Sequence, residues 1–303
     1  MKDAYVHIGL PRCASTLIEN FFQHAHRAGT NALRASDILA LPRLYMELRR
    51  AAGEPEWDDE FCTYLRDYHL VPMLGHEAKG FFVKDESLTF VNNQDFDAPT
   101  VYLDRMQFLP KLFEGFRPRL LLLVRNQARY LVSLYGLHLQ NGGQMDFVDY
   151  VDGYPLARLD WLAVAEAAAD AVGEENLTVL PFEREVYAAS EFPAGDFLAA
   201  LQHVMGVADP VDLGDLPLVN PSLSPKYYAA QLAINHAGDC AAAEGDAAIP
   251  DGDQAYLWEE SESPLTPDRA ARVLDSVTQS NAGLFARFMP DFDPAFYHPG
   301  ALA

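Results

Sequence analysis

Tyr5-Val6-His7-Ile8-Gly9-Leu10 runs into Pro11-Arg12-Cys13-Ala14-Ser15-Thr16 and then into Leu17-Ile18-Glu19-Asn20-Phe21-Phe22, and this stretch decides the fold. Its first part is apolar and β-rich. In its last part Leu17, Ile18, Phe21 and Phe22, continued by Ala25, have the spacing of one buried helical face. A strand that enters a helix through so tight a turn leaves unpaired backbone N–H groups at the helix start. The hydroxyls of Ser15 and Thr16 and the cation of Arg12 stand beside them. Together they predict an anion site of phosphate size.

Outward from this stretch, strand-like apolar segments recur at 4–10, 80–84, 119–124 and 176–181. Helical periodicity fills 16–29, 100–116, 127–140, 157–172, 194–205, 222–236 and 267–289, and 37–75 with breaks at Pro42 and from Gly53 to Pro55. Such alternation predicts an α/β protein with a central, mostly parallel sheet flanked by helices. Thr266 reads as the N-cap of the last helix, with Pro267 at its first position. No repeat and no composition break divides the chain, so residues 1–303 read as one domain. Within it, the small, acidic stretch at about 237–253 reads as a flexible surface loop, and the tail 290–303 as extended.

The charge is lopsided. Forty-four acidic residues against 22 basic ones give a net charge of −22, with a sequence pI near 4.6. Nucleic acid, heparin-like polymers and anionic membranes need a basic face, so they are excluded as general partners. Cys13, Cys62 and Cys240 form neither a CxxC pair nor an even disulfide framework, which suits a reducing compartment. Met1-Lys2-Asp3 leads directly into the first strand without a signal peptide. The apolar run Leu120-Leu121-Leu122-Leu123-Val124 is a buried strand, far short of the ~20 residues of a membrane span. A cytoplasmic protein is the expectation.

A nucleoside-triphosphate loop would read Gly-x-x-x-x-Gly-Lys-Ser/Thr. Counted from Gly9, Ala14 stands at the second glycine and Ser15 at the lysine, so that pattern fails where it is most informative. The cation comes earlier, at Arg12. A second strand-to-helix joint repeats the logic: the apolar strand ends in Arg125, and the helix after it carries Ser133 eight residues on, with Arg129 between them on the face of Ser133.

Pro-basic-small-small-Ser-Thr after a first strand resembles the 5′-phosphosulfate loop of the sulfotransferases that use 3′-phosphoadenosine 5′-phosphosulfate (PAPS). The usual family form is Pro-Lys-Ser-Gly-Thr-Thr, so Arg12 replaces the lysine and Ala14 the glycine. An arginine at a strand end with a serine eight residues later is similar to the family's 3′-phosphate motif. Asn141-Gly142-Gly143, Gly173 to Glu183 and Asn220-Pro221-Ser222-Leu223-Ser224 resemble bacterial members more loosely.

The resemblance implies a three-layer P-loop-type fold and PAPS as co-substrate, with arginines neutralising the phosphates in place of a metal. Arg12, Cys13, Ala14, Ser15 and Thr16 would hold the 5′-phosphosulfate, and Arg125 with Ser133 the 3′-phosphate. Arg12 would also stabilise charge on the leaving oxygen. The implied base is Glu86, with Asp85 second, after the strand Gly80-Phe81-Phe82-Val83-Lys84. His76 precedes that strand and His7 lies within the first, and neither displaces Glu86. The acceptor would be the hydroxyl of a small molecule, a carbohydrate or a lipid-linked glycan. Its identity and the oligomeric state stay open. Two rival readings stand beside this one: a kinase with a degenerate loop, needing magnesium and ATP, and a catalytically silent member that binds nucleotide or a protein partner.

Overall fold

The described strands form a five-stranded parallel sheet, four of them built on short apolar runs. Its strands are β1 (Asp3–His7), β2 (Arg34–Ser36), β3 (Gly80–Lys84), β4 (Arg117–Val124) and β5 (Leu177–Pro181). The structure is a computed structural model that describes residues 1–14, 17–18, 34–36, 49, 52–53, 57–72, 80–84, 105–189, 197–205, 225–237 and 264–299. Strand order is β2-β3-β1-β4-β5, which puts β1 at the centre. His7 pairs with Lys84 on one side and Leu121 on the other, and Val124 pairs with Pro181. Leu120 to Val124 are all buried, as a central strand covered on both faces requires.

The described α-helices are α1 (Asp59–Leu65), α2 (Leu109–Leu112), α3 (Gln127–Gln140), α4 (Phe147–Gly153), α5 (Trp161–Val172), α6 (Arg184–Ala189), α7 (Phe197–Val204), α8 (Pro225–Ala237), α9 (Pro267–Ser276) and α10 (Thr278–Phe288). Five of them begin at a side-chain cap. Asp58, Asn126, Asp146, Asp160 and Thr266 cap α1, α3, α4, α5 and α9 with side-chain oxygens, each worth about 1 kcal/mol. None of the described helices is long and apolar enough to cross a membrane.

Topology places the site. The chain leaves β1 for β2 beyond β3, whereas it leaves β4 for β5 on the other side. The direction of the chain's moves across the sheet thus reverses between β1 and β4, the kind of switch point where a crevice forms at the carboxyl ends of parallel strands.

Three expectations are corrected. The helix expected over 267–289 is two helices, broken at Val277. Flanking hydroxyls bond back to carbonyls there, Ser276 to Val273 (2.6 Å) and Thr278 to Leu274 (2.9 Å), and compete with the helical ladder. A short strand at Arg34–Ser36 pairs with β3 where none was expected. The tail through residue 299 is docked rather than extended: Pro294–Tyr297 forms a 3-10 turn and Tyr297 is fully buried.

Candidate active site

The loop after β1 is built on a turn. The Cys13 N–H donates to the Leu10 carbonyl (3.3 Å), and Pro11 and Arg12 are the central residues between them. Proline second and a φ of +64° third are the marks of a type II turn, where glycine usually takes the third position. Ala14 also has φ +64°. The left-handed conformation costs about 1–2 kcal/mol for each residue with a side chain. Directly behind it the Ile18 N–H donates to the Ala14 carbonyl (2.9 Å), starting the helix. Gly9 is required by contact: a Cβ there would run into the imidazole of buried His7.

The left-handed turn sends Arg12 across the crevice. Its Nε donates to Ser133 Oγ (3.1 Å), and Arg125 Nη1 donates to the Arg12 carbonyl at 3.5 Å. The two motifs therefore meet in space, and Arg12, Arg125 and Ser133 stand together. Cys13 is fully buried in the core, so its side chain is closed off from the crevice. Ser15, Thr16, Asp85, Glu86 and His76 lie outside the described residues.

Arg125 is held from several sides. Trp161 Nε1 donates to its carbonyl (2.9 Å), and its Nε forms an ion pair with Glu183 Oε1 (3.5 Å). Its guanidinium carbon lies 6.0 Å from the Phe182 ring centroid. Glu183 is only 4% exposed, yet it also accepts from the Asn126 N–H (3.0 Å) and from Arg129 Nη1 (3.2 Å). Burial pushes its carboxyl above the usual range, and the Arg125 and Arg129 guanidiniums with the Asn126 amide pull it back.

Arg129 is turned away from Ser133. Its second Nη bonds Glu185 (2.9 Å), and its guanidinium lies 4.6 Å from the Phe296 ring. Tyr228 on α8 closes the wall, donating to the Val132 carbonyl (3.4 Å). Burial pushes its hydroxyl up to about 12 against the pull of Arg12 and Arg125, so it stays neutral.

Below the crevice, the tail acts as a prop. The Tyr297 hydroxyl donates to the Val124 carbonyl (3.3 Å), and Asn126 Nδ2 donates to the Phe296 carbonyl (2.7 Å). A separate cavity of about 280 Å³, lined by Tyr5, Arg119, Thr178 and Met205 among others, opens toward the amino ends of the strands, away from the arginines.

Sequence reasoning missed the work of Glu183, Trp161, Tyr228 and Tyr297. For Glu183 a signal was present: β5 runs parallel to β4, so a carboxylate just past its end emerges beside Arg125.

No family model matches the chain, and no curated protein matches it. Among solved structures it is similar to a sulfotransferase from Alicyclobacillus acidocaldarius, with 12% identity, a TM-score of 0.39, and coverage of 78% of this chain and 95% of that one. So distant a likeness assigns no chemistry, which rests on the residues themselves.

Proposed function

We propose that the chain transfers the sulfuryl group of PAPS to a hydroxyl of a small-molecule, carbohydrate or lipid-linked acceptor. One observation carries this reading: Arg12 and Ser133, 121 positions apart, are hydrogen-bonded beside Arg125 at the crevice between β1 and β4. A bisphosphorylated nucleotide suits these donors. Arg125 and Arg12 supply planar cations for phosphate oxygens, and Ser133, which accepts from Arg12, keeps its own hydroxyl proton to donate. No lysine stands where a kinase would hold the terminal phosphate, which counts against ATP.

PAPS supplies the sulfuryl group on a phosphate leaving group. The chain's part is positioning and charge. In this reading Arg12 stabilises the oxygen that is left behind, Arg125 and Ser133 fix the 3′-phosphate, and Glu86, with Asp85 as the second choice, takes the acceptor's proton.

Calorimetric titration with 3′-phosphoadenosine 5′-phosphate in metal-free buffer tests the nucleotide half. Micromolar binding is expected, with a loss of about 100-fold or more in Arg125→Ala, roughly 3 kcal/mol of charge-assisted contacts. Tighter binding of ATP with magnesium would replace this reading with the kinase one. Nucleotide binding without turnover on any acceptor would favour the silent reading. Loss of turnover in Glu86→Gln with nucleotide affinity kept is the expected sign of the base.

A further inference from the structure

We infer that Glu183 is a positioning residue of the nucleotide site, a buried carboxylate that clamps Arg125 from behind and turns its outer nitrogens to the crevice. The inference rests on the nucleotide reading above. Arg125 meets Glu183 through Nε (3.5 Å) and the Arg12 carbonyl through Nη1 (3.5 Å). The carboxylate pairs with Nε as an ion pair without a hydrogen bond, and the loop carbonyl accepts from Nη1, so opposite sides of the planar fork are both engaged and its orientation is biased. Among the described residues Nη2 has no hydrogen-bond partner, so it remains for a ligand. The same carboxylate holds Arg129 (3.2 Å) and the first N–H of the α3 cap (3.0 Å). Glu183 thus fills the anion position at the start of α3, and the ligand's place is left to the side of Arg12 and Ser133.

A carboxylate this near an anion site makes the sign of its removal informative. By charge alone, Glu183→Gln would strengthen the attraction of an anion. If Glu183 positions Arg125, the same substitution weakens it, because a neutral amide holds a guanidinium less firmly.

The test titrates wild type, Glu183→Gln, Arg125→Ala and the double variant with 3′-phosphoadenosine 5′-phosphate and with 5′-AMP, which lacks the 3′-phosphate. Glu183→Gln is expected to lose about 10-fold for the bisphosphate and less than about 2-fold for 5′-AMP, with no further loss in the Arg125→Ala background, as coupled neighbours require. Equal or tighter binding of the bisphosphate, or equal losses for both nucleotides, would overturn the role. Should Glu183→Gln not fold, Glu183→Asp keeps the charge, withdraws it by one methylene, and is read by the same ratio. Failure of the wild type to bind the bisphosphate brings down the nucleotide reading and this role with it. Wild-type binding with an unchanged ratio in the variant brings down the role alone.

Discussion

The two strand-end motifs serve one crevice and are built in opposite ways. After β1, the turn places two residues with side chains, Arg12 and Ala14, in the left-handed region. After β4, the positive-φ residues among those described are glycines, Gly142 and Gly173, and the joint itself is bolted down. Trp161 holds the Arg125 carbonyl, Asn126 caps α3, Glu183 lies beneath, and the tail bonds Val124 and Asn126. Contacts also run from the second motif into the first: Ser133 receives the Arg12 side chain and Arg125 grips the Arg12 backbone. The contrast teaches that β4 and α3 are the platform, and that the strained loop is oriented by leaning on it.

Tyr297→Ala breaks this contrast most severely. It removes a fully buried aromatic ring and the hydroxyl that caps the Val124 carbonyl. Truncating such a ring costs about 3–5 kcal/mol, and at roughly 2–4 °C per kcal/mol the melting temperature falls by about 6–20 °C. A thermal melt reads the effect, and a nucleotide titration well below the melt tests whether the prop also serves the site. A melting temperature within about 2 °C of wild type would mean the platform stands without its tail.

A smaller effect of opposite sign is expected in the loop. Ala14→Gly relieves about 1–2 kcal/mol of left-handed strain and gives back about 0.4–1 kcal/mol through the looser unfolded chain, a net gain of about 0–1.6 kcal/mol, centred near 0.8. The midpoint of urea unfolding should rise. A fall would show that the Ala14 side chain contributes more than its backbone costs, and the two motifs would then be closer in build than their dihedral angles imply.

Legibility in the sequence followed the same divide. Strong apolar runs announced β1, β3, β4 and β5, most clearly β4, whose residues Leu120 to Val124 are all buried. Arg34-Ala35-Ser36 carries no such run: it is a strand of three residues, paired with β3 among the described residues and too short to show an apolar pattern. The tail showed no period because Phe292, Phe296 and Tyr297 pack from a turn rather than along a helix face. Arg12, Arg125 and Ser133 were readable because each sits in a local motif. The partners of Arg125 were not. They depend on the register of β4 with β5 and on Trp161, which returns from 36 residues away, and neither leaves a local trace.

The smallest effect is a pH dependence of the platform, carried by His138 near the end of α3. Its ring stacks on Tyr135 (centroids 6.1 Å apart, 23° between planes) and lies 5.0 Å from Tyr150. Neither ring nitrogen has a hydrogen-bond partner among the described residues. Burial therefore holds the imidazole below its ordinary value of about 6.5. The sign follows from linkage: as pH falls through about 6.5 the unfolded chain takes up a proton that the folded ring refuses, so stability drops until the folded value is passed. Glu183, shifted upward, acts the other way in acid, so the wild-type profile mixes the two and a single variant must separate them. His138→Leu is expected to match or exceed wild type at pH 7.5, since no hydrogen bond is lost, and to lose less melting temperature between pH 7.5 and 5.5. An unchanged slope would mean that His138 takes up its proton in the folded state as readily as in the unfolded one. The platform would then open at α3 more easily than its packing against α8 and the tail implies.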